Sequence, residues 1–534
     1  MEATSTAKLP VRRSPSPRQL LFVVAMSLLA LLSLTSLLGS TTRMAWTGRT
    51  TTSHSAFRQA AQSHPETAKR KQAIRDAMQF VWKNYHDRAF GADEIKPLDG
   101  TPSNPWGGAG CMILDSMDTL IIMDLDDEFE QARKWVHDKL RFDNMGSVSV
   151  FETIIRSLGG LLGAYDLSRD PVFLTKATEL ADRMIPAIDS KTGCADYRLN
   201  TATNESYQPG TLAESGTYQL EFEYLSMATG NDKYSTIARK FYPYMRGLES
   251  VRLDGLYANE IYAFAPGFAG SPLTLTMGGG GDSFYEYLLK VWLLQGMPSD
   301  SIAKQMYLEA IEGIENYLLV ESTSGALFVV EYSMRHSVAQ EKMQHLACFV
   351  PGMLALGAKR LQAEDPRRSE HHLNLAKRLG ETCYKEFYAK RPTGLSPEYL
   401  SGKAFDQCTW PVYLLRPEAV ESLYILFKVT GDPIYQEWGW NIFTAIERNC
   451  KTDYGFSEFK NVFEFVDWGN ITTKAQRRMT QSRVLTDRQE TFFAAETLKY
   501  LYLLFDPDNS HISLDTHVFN TEAHPLSILG KKKL

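Results

Sequence analysis

One repeated pattern restricts the fold of this chain more than any other feature: two apolar helical segments separated by a short break. The break occurs as "LSRDPVF" (residues 167–173), "ATGNDKYSTIA" (228–238) and "VTGDPIYQEW" (429–438), with weaker copies at 125–132 and 364–372. Gly, Asn, Asp or Pro at the break, followed by an aromatic residue, is typical of an antiparallel helical hairpin. Repeats of this kind predict an all-α array, either a closed toroidal barrel or an open solenoid.

Acidic residues recur in the first helix of several hairpins. Glu152, Glu221, Glu223 and Glu418 each precede a break, and Asp118 precedes a weaker one. If the hairpins close into a ring, these carboxylates gather toward one end of it, which predicts an acidic central cavity. An open solenoid would instead string them along a surface.

Four glycines lead directly into an acid in "MGGGGDSFYEYLLK" (residues 277–290). A phosphate-binding loop needs a Gly-Lys-Ser/Thr ending and a dinucleotide site needs a preceding strand, and neither pattern is present. Ser283 and Glu286 have the S-x-x-E spacing of a capping box, which predicts that Asp282 lies just before the cap. We interpret the segment as a turn that delivers the Asp282 carboxylate to a site, against the alternative of a plain helix start.

The segment "VFETIIRSLGGLLGAY" (150–165) places Glu152 and Arg156 on one helix face. Because its other residues are mostly apolar, we predict a buried pair rather than a surface ion pair. Gly159 and Gly160 each cost about 1 kcal/mol in a helix relative to Ala. Close packing against another helix would explain why they are tolerated.

Three further acids stand out. Glu418 follows Pro417 in a first helical turn, where it could serve the helix dipole or a site oriented by Arg416. Glu398 follows a proline in "GLSPEYL", and Glu496 lies in the aromatic helix "TFFAAETLKYLYLLF". A buried carboxylate usually pairs with another group or binds a metal, so Glu496 is expected to have such a partner.

The amino terminus has a different character. Residues 20–38 are apolar and uncharged, and as a helix they would rise roughly 28 Å, about the thickness of a bilayer core. Basic residues precede them, so we predict a signal anchor with residues 1–19 in the cytosol and the rest lumenal, the alternative being a cleaved signal peptide. Residues 39–70 are predicted to be a stem, 71–527 the globular domain, and 528–534 a solvated tail.

Charge and cysteines narrow the function further. The net charge of -6 argues against a nucleic-acid surface. None of the six cysteines forms a C-x-x-C pair or a zinc-like cluster, and an oxidising lumen predicts one or more disulfides whose pairing the spacing leaves open. The sequons at Asn204 and Asn470 agree with a lumenal location.

Eight motifs resemble, in order, those of glycoside hydrolase family 47, the class I α-1,2-mannosidases of the secretory pathway. They are DSMDTL, FETIIRSLGGLL, GDSFYEYLLK, HLACFVPG, GLSPEYL, LLRPEAVESLY, FFAAETLKYLYLLF and FNTEAHPL. The resemblance covers roughly residues 70 to 527 and implies an (α/α)7 barrel. It also implies a monomeric, calcium-dependent, inverting exo-glycosidase that removes α-1,2-linked mannose from high-mannose N-glycans.

The resemblance also implies roles for single residues. Glu152 would be the acid that protonates the leaving oxygen, directly or through a water, and Glu418 the base that activates the attacking water. Asp282 and Glu398 would be the other two acids of the site, and Thr521 the calcium ligand through its hydroxyl and carbonyl. The remaining residues implied to line the pocket are Arg156, Glu221, Glu223, Arg416, Phe492, Glu496 and Glu522, and the implied disulfide joins Cys348 to Cys383.

The residue two positions before Asp282 differs among members of the resembled family. Endoplasmic-reticulum members carry arginine there, whereas this chain has Gly280, as expected of a wider cleft. We therefore expect several mannoses to be trimmed, in a Golgi-like location. The alternative is a low-turnover, glycan-binding quality-control protein of the same fold. The presence of all four site acids favours the enzyme.

Overall fold

The structure is a computed structural model that describes residues 65–143, 145–261 and 273–531 of the chain. The predicted cytosolic tail, the predicted anchor at 20–38 and most of the predicted stem lie outside these residues. In the part of the chain that the structure describes, no helix combines the length and apolarity needed to cross a membrane.

Fourteen helices of the described residues build the body of the domain. In chain order they are α1 Pro65–Ala89, α2 Cys111–Ile122, α3 Asp126–Asp138, α4 Gly159–Ser168, α5 Pro171–Met184, α6 Gln219–Thr229, α7 Lys233–Ala238, α8 Asp282–Leu294, α9 Ile302–Gly313, α10 Val350–Leu361, α11 Pro366–Thr382, α12 Glu418–Thr430, α13 Ile434–Asn449 and α14 Leu498–Leu504. Shorter or peripheral helices are Val150–Glu152, Leu212–Gly216, Phe241–Arg246 and Lys474–Val484. π-Helical turns span Thr153–Leu158, Ile314–Leu318, Cys383–Ala389 and Phe493–Thr497, and 3-10 turns span Ile185–Ala187, Glu249–Val251, His345–Phe349 and Trp468–Asn470.

The strands are short and connect the helices at the ends of the domain. They are β1 Glu94–Ile95, β2 Pro102–Ser103, β3 Ser147–Ser149, β4 Asp196–Asn200, β5 Glu205–Pro209, β6 Arg252–Leu253, β7 Leu256–Tyr257, β8 Thr274–Leu275, β9 Leu319–Glu321, β10 Leu327–Val329, β11 Glu331–Ser333, β12 Val338–Gln340, β13 Lys342–Gln344, β14 Tyr399–Ser401, β15 His517–Phe519 and β16 Pro525–Ser527. All pair antiparallel, as two-stranded sheets or as the three-stranded sheets β3-β4-β5 and β12-β11-β8.

The even-numbered helices form an inner ring. Each of them contacts the next, and the π-helical turn that leads into α14 packs against α2, so the ring closes. Each odd-numbered helix packs outside an inner partner, and α1 packs on α14. The predicted hairpins are therefore confirmed, and they form a closed, barrel-like all-α fold rather than an open solenoid.

The predicted breaks separate the helices for the expected reasons. Gly230 and Gly431 end α6 and α12 with φ of 71° and 72°, the left-handed conformation that favours glycine. At the break between α4 and α5, Arg169 adopts the left-handed conformation, and the Asp170 carboxylate accepts a hydrogen bond from the backbone of Val172.

Both predicted domain boundaries differ from the structure. The stem was expected to reach residue 70, but α1 begins at Pro65, and Arg70 pairs with Glu437 of α13 at 2.6 Å. The tail was expected from residue 528, but Ile528 is buried and donates its N–H to the carbonyl of Thr516. Tertiary contacts thus extend the domain in both directions.

Strands β15 and β16 form a hairpin whose turn, residues 520–524, is held inside the ring. We call residues 517–527 the C-terminal hairpin. Lys290 of α8 donates to the Asn520 carbonyl at 3.3 Å, and Lys499 of α14 donates to the Ala523 carbonyl at 2.7 Å. The hairpin closes one end of the ring and forms the floor of a cavity.

Cys348 and Cys383 form a disulfide that joins the start of α10 to the end of α11, with Cα atoms 5.8 Å apart. This is the pair that the family resemblance implied. No second disulfide forms among the described cysteines.

Candidate active site

A cavity of about 400 Å³ lies above the turn of the C-terminal hairpin. Its walls come from the inner helices or the segments just before them, as expected if a ring gathers acids toward one end. Ten of the residues singled out from the sequence line it: Glu152, Arg156, Gly280, Asp282, Arg416, Glu418, Phe492, Glu496, Thr521 and Glu522.

Glu152 and Arg156 form the buried pair that their spacing predicted. Arg156 Nε donates to Glu152 Oε2 at 2.8 Å, and Arg156 Nη1 donates to Glu522 of the C-terminal hairpin at 2.5 Å. The glycines that follow allow close packing, because a Cβ on Gly160 would lie 2.2 Å from the carbonyl oxygen of Leu114 in α2. The helix that carries Glu152 is thereby fixed against its neighbour.

Asp282 is the first residue of α8 and follows a turn that needs glycine. Gly280 has a φ of 88°, and a Cβ on Gly281 would lie 2.3 Å from the Thr276 carbonyl oxygen. Burial raises the pKa of Asp282 to about 7, and the nearby Glu286 and Glu418 charges add to this despite a hydrogen bond from the Ser283 backbone. Asp282 therefore holds a proton up to near-neutral pH.

The predicted capping box at the start of α8 is wrong. The Ser283 hydroxyl instead bonds the hydroxyl of Thr217 at 2.8 Å. The Glu286 carboxylate pairs with Lys290 and accepts the Thr521 hydroxyl at 2.8 Å. Tertiary partners have replaced the local ones, so the S-x-x-E spacing marks inward-facing groups and not a cap.

Glu418 lies at the start of α12, close to the His345 ring and to the Arg416 guanidinium. Burial opposes its ionisation, but the hydrogen bond from His345 Nδ1, at 2.8 Å, and the nearby Arg416 charge outweigh burial and keep the pKa of Glu418 below its ordinary value. His345 Nε2 in turn contacts the Tyr388 hydroxyl at 2.8 Å, which fixes the ring. Glu418 is thus an oriented, ionised carboxylate.

Glu398 is not among the residues that line the cavity. Its carboxylate lies behind Arg416, whose Nε is 2.8 Å and 2.9 Å from the two carboxylate oxygens. The pair is nearly bidentate and holds the guanidinium in place beside Glu418. The structure therefore gives Glu398 the contacts of a group that positions Arg416.

Glu221 and Glu223, which resemblance placed on the pocket wall, also lie elsewhere. Glu221 is fully buried beneath the C-terminal hairpin, where it accepts from Tyr287 at 2.6 Å and from Asn520 at 2.9 Å, and burial raises its pKa to about 7. Glu223, two positions on, points to the other side of α6 and pairs with Arg239 at 2.6 Å. The two acids lie on different faces of α6, and neither is among the residues that line this cavity.

The floor of the cavity is a dense cluster of acids. Burial raises the pKa of Glu496 well above its ordinary value, and the charges of Glu522, Glu418 and Glu421 add to this effect. Burial likewise raises the pKa of Glu522, against the opposing charge of Arg156. Positive charge added here would stabilise the ionised forms of these acids, because it would offset their mutual repulsion. Thr521 lies at the same floor.

A model of glycosyl hydrolase family 47 matches residues 77–528 of this chain.

The chain belongs to glycosyl hydrolase family 47.

Named relatives agree with this family assignment. The chain is 41% identical over 484 residues to mannosyl-oligosaccharide 1,2-alpha-mannosidase MNS1 of Arabidopsis thaliana, covering 88% of this chain and 81% of the relative. It is 40% identical over 476 residues to the human endoplasmic reticulum mannosyl-oligosaccharide 1,2-alpha-mannosidase, covering 86% and 64% respectively. The solved alpha-1,2-mannosidase from Trichoderma reesei matches its fold with a TM-score of 0.74 at 26% identity, covering 87% of this chain and 99% of that one.

Beneath the cavity, this family 47 chain contains an ionic network that fixes the hairpin. His524 Nδ1 lies 3.0 Å from Asp118, and its Nε2 lies 3.3 Å from Asp115. Lys499 also reaches Asp118, at 3.0 Å. Of these residues the sequence pattern singled out Asp118 alone. His524 was missed, because a histidine three residues after Thr521 carries no local signal of a partner on α2.

Glu214 was also missed, although it lines the cavity of the family 47 domain. It belongs to a complete capping box: Glu214 N–H donates to the Thr211 hydroxyl, and Thr211 N–H donates to the Glu214 carboxylate. The T-x-x-E spacing of these residues is visible in the sequence and could have located the helix start.

The calcium expectation can be tested against the donor set. Within the described ranges, no group of three or more His, Cys, Asp or Glu side chains is arranged to hold an ion directly. Thr521 nevertheless offers an oxygen donor beside several buried carboxylates, and oxygen is the ligand type that Ca²⁺ prefers. The residues fit an ion held by Thr521 and by waters, with the acids binding those waters.

Both predicted glycosylation sites are exposed. Asn204 lies in the turn between β4 and β5 and has a φ of 58°. Asn470 ends a 3-10 turn, where its side-chain amide donates to Asp467 at 2.7 Å. Occupancy of the two sequons stays a prediction.

Proposed function

We propose that this protein is an inverting exo-α-1,2-mannosidase that trims α-1,2-linked mannose from high-mannose N-glycans. One observation carries the proposal: Glu152 and Glu418 line a single cavity together with Asp282, and the pKa of Glu418 is lowered, as suits a base. An inverting glycosidase needs one ionised and one protonated carboxyl around the bond to be broken. The names of the relatives support the same substrate.

Glu418 acts as the base in this mechanism. The attacking water gives its proton to the ionised Glu418 carboxylate, which His345 and Arg416 hold in position. The water oxygen bonds to the anomeric carbon on the face opposite the leaving group. The configuration at that carbon is therefore inverted.

Glu152 protonates the departing glycosidic oxygen, directly or through a water. Its Oε2 is held by Arg156, and Arg156 is held in turn by Glu522. Asp282, neutral at the working pH, donates a hydrogen bond to the sugar. Phe492, also on the cavity wall, packs against the apolar face of the terminal mannose.

Ca²⁺ belongs to the same proposal, with Thr521 as the protein ligand and Glu496 and Glu522 binding its waters. When bound, the ion would coordinate sugar hydroxyls and lower the repulsion among the buried acids. Loss of calcium should therefore remove activity and lower the Tm.

The finer features of the protein follow from the resemblance. The barrel is (α/α)7 and the catalytic domain is monomeric. Residues 20–38 anchor it in a Golgi or endoplasmic-reticulum membrane with the domain in the lumen. A Cβ on Gly280 would meet Asn259 and Thr211, so glycine keeps this wall open to more than one glycan branch, which favours Golgi-type trimming.

The test is a time course of the lumenal domain with a high-mannose glycan and calcium. We expect release of several mannoses, each first appearing as the β-anomer, and complete loss on chelation. Tight glycan binding without release would instead support the low-turnover quality-control protein of the same fold.

The acid is identified with a second substrate. Because fluoride departs with less help from an acid, α-mannosyl fluoride should be hydrolysed by Glu152→Gln far better than glycan is. Asp282→Asn is the comparison, and it should lose activity on both substrates alike. The reverse pattern would assign the acid to Asp282.

A further inference from the structure

A second, smaller chamber lies behind Glu152. It has a volume of about 40 Å³ and is lined by Trp106, Cys111, Ser149, Thr153, Ser157 and Arg198, together with Glu152, Pro105 and Val148. Glu152 is the one residue shared by the walls of this rear chamber and of the substrate cavity. Glu152 therefore borders both spaces.

The rear chamber suits water. A cavity needs a volume of about 10–15 Å³ on the same measure to hold one water molecule, and that water needs several polar partners. Ser149, Thr153 and Ser157 bring hydroxyls to the wall, and Cys111 brings a thiol. The Thr153 hydroxyl donates to the Ser149 carbonyl at 2.7 Å, which fixes one side of the chamber.

The outer end of the rear chamber reaches the surface of the domain. Arg198 of β4 is half-buried, and its guanidinium donates to the backbone carbonyl of exposed Ser147 at 2.5 Å. Pro105, on the same wall, is exposed. The rear chamber thus has an exposed side that is separate from the substrate cavity.

The catalytic cycle creates a need for such a route. Each hydrolysis moves one proton from Glu152 to the leaving oxygen and one from the attacking water to Glu418. To reset the site, Glu152 must gain a proton and Glu418 must lose one. While sugar fills the substrate cavity, it blocks solvent protons from reaching Glu152 through that cavity.

We propose that the rear chamber holds water that reprotonates Glu152 from solvent, so that the acid is reset while product still occupies the substrate cavity. A hydronium-derived proton enters at the Arg198 end and bonds to the Glu152 carboxylate. The proton on Glu418 leaves to water on the front side, so charge and atoms balance over the cycle. This proposal rests on the proposed function and on Glu152 as its acid.

Two variants close the chamber. Ser157→Val fills its interior, and Arg198→Phe, at a half-exposed strand position that accepts an aromatic residue, closes its outer end. Ser157→Ala is the size control, because it removes the same hydroxyl and leaves room for water. Each variant is assayed on glycan and on α-mannosyl fluoride, and folding is checked by its Tm.

The kcat of the closing variants on glycan should fall about tenfold or more, which is part of the total contribution that a general acid makes. Their KM should not change. Activity on α-mannosyl fluoride should be retained, and high concentrations of a small buffer acid should restore glycan turnover. Equal losses on both substrates, or unchanged glycan kcat in a folded Arg198→Phe and Ser157→Val, would overturn the proposal. Wild-type mannose release tests the proposed function separately, so the two failures are distinguishable.

Discussion

At the scale of single residues, the same cavity shifts the pKa values of two carboxyl groups in opposite directions. Asp282 and Glu418 are both buried, and burial alone would raise the pKa of each. The Arg416 charge favours ionisation of both acids, but only Glu418 also accepts a hydrogen bond from His345. The hydrogen bond from this histidine is therefore a main difference between the neutral acid and the ionised one.

The buried Asp282 should make stability depend on pH. Its pKa is about 7 in the folded state against 3.8 ordinarily, so the folded state binds the proton more tightly than the unfolded state. Stability from this group is present at low pH and lost as pH rises through about 4 to 7, by at most about 4 kcal/mol. Asp282→Asn cannot ionise and should raise the Tm at pH 8 more than at pH 5.

The measurement is thermal unfolding of both proteins at the two pH values, with a chelator present so that cation binding does not contribute. Glu152→Gln, which makes the same acid-to-amide change at a partly exposed position of the same cavity, is the matched control. A Tm difference between wild type and Asp282→Asn that does not change with pH would contradict the prediction.

Glu418→Gln should keep glycan binding and lose turnover. The amide preserves the shape of the side chain but cannot accept a proton from water, so kcat should fall by at least about 100-fold. Binding is measured by calorimetry and turnover by mannose release. Near-normal turnover would remove Glu418 from the mechanism.

Whether the sequence could reveal a contact between two residues depended on their separation along the chain. The Glu152–Arg156 pair was predictable because its members are one helical turn apart. His345, 73 positions before Glu418, offered only a histidine at the edge of an apolar run. The Ser283 capping box failed for the same reason, since Thr217 and Thr521 compete for its groups from distant segments.

At the scale of elements, the contact between α4 and α2 depends on the absence of side chains. A Cβ on Gly160 would lie 2.2 Å from the backbone oxygen of Leu114, and one on Gly159 would lie 2.5 Å from the Asn520 side chain. The first contact fixes α4 against its neighbour and the second admits the C-terminal hairpin. The helix α4 thus presents its own backbone to α2 at Gly160 and to the C-terminal hairpin at Gly159.

Gly160→Ala should destabilise the domain despite its better helix propensity. The backbone oxygen of Leu114 cannot rotate away, so the helices must separate, at a cost of about 1–3 kcal/mol as for other overpacked cores. Gly247→Ala is the control, because its nearest contact is 3.3 Å and its φ of -79° is ordinary. Chemical denaturation measures both, and equal midpoints for the two variants would refute this account of the packing.

At the scale of the whole molecule, one disulfide constrains a pair of neighbouring helices of the barrel. Cys348 and Cys383 are 35 positions apart and enclose all of α10 and all of α11. Replacing both by serine should lower stability by about 3–4 kcal/mol through greater freedom of the unfolded chain. Cys408→Ser, at a half-exposed thiol, is the control, and an unchanged Tm in the double variant would contradict the expectation.

The helical hairpins could be predicted from local sequence patterns, but their closure into a ring could not. Breaks such as Gly230 and Gly431 mark hairpins locally, because left-handed glycine ends a helix wherever it occurs. Whether hairpins close or spiral depends on contacts between α1, α2 and α14, which lie at opposite ends of the chain. The family resemblance supplied that information, and the contacts of the structure agree with it.

The C-terminal hairpin has a consequence for how the protein comes into being. A polypeptide emerges from the ribosome beginning with its amino end, so the segment bearing Asn520, Thr521 and Glu522 is synthesised after all the helices of the ring. Until then, the partly made molecule has acids but no floor beneath a bound sugar. We therefore expect nascent chains, and chains truncated before this hairpin, to be inactive towards the glycans around them, and activity to arise only once the hairpin has been made.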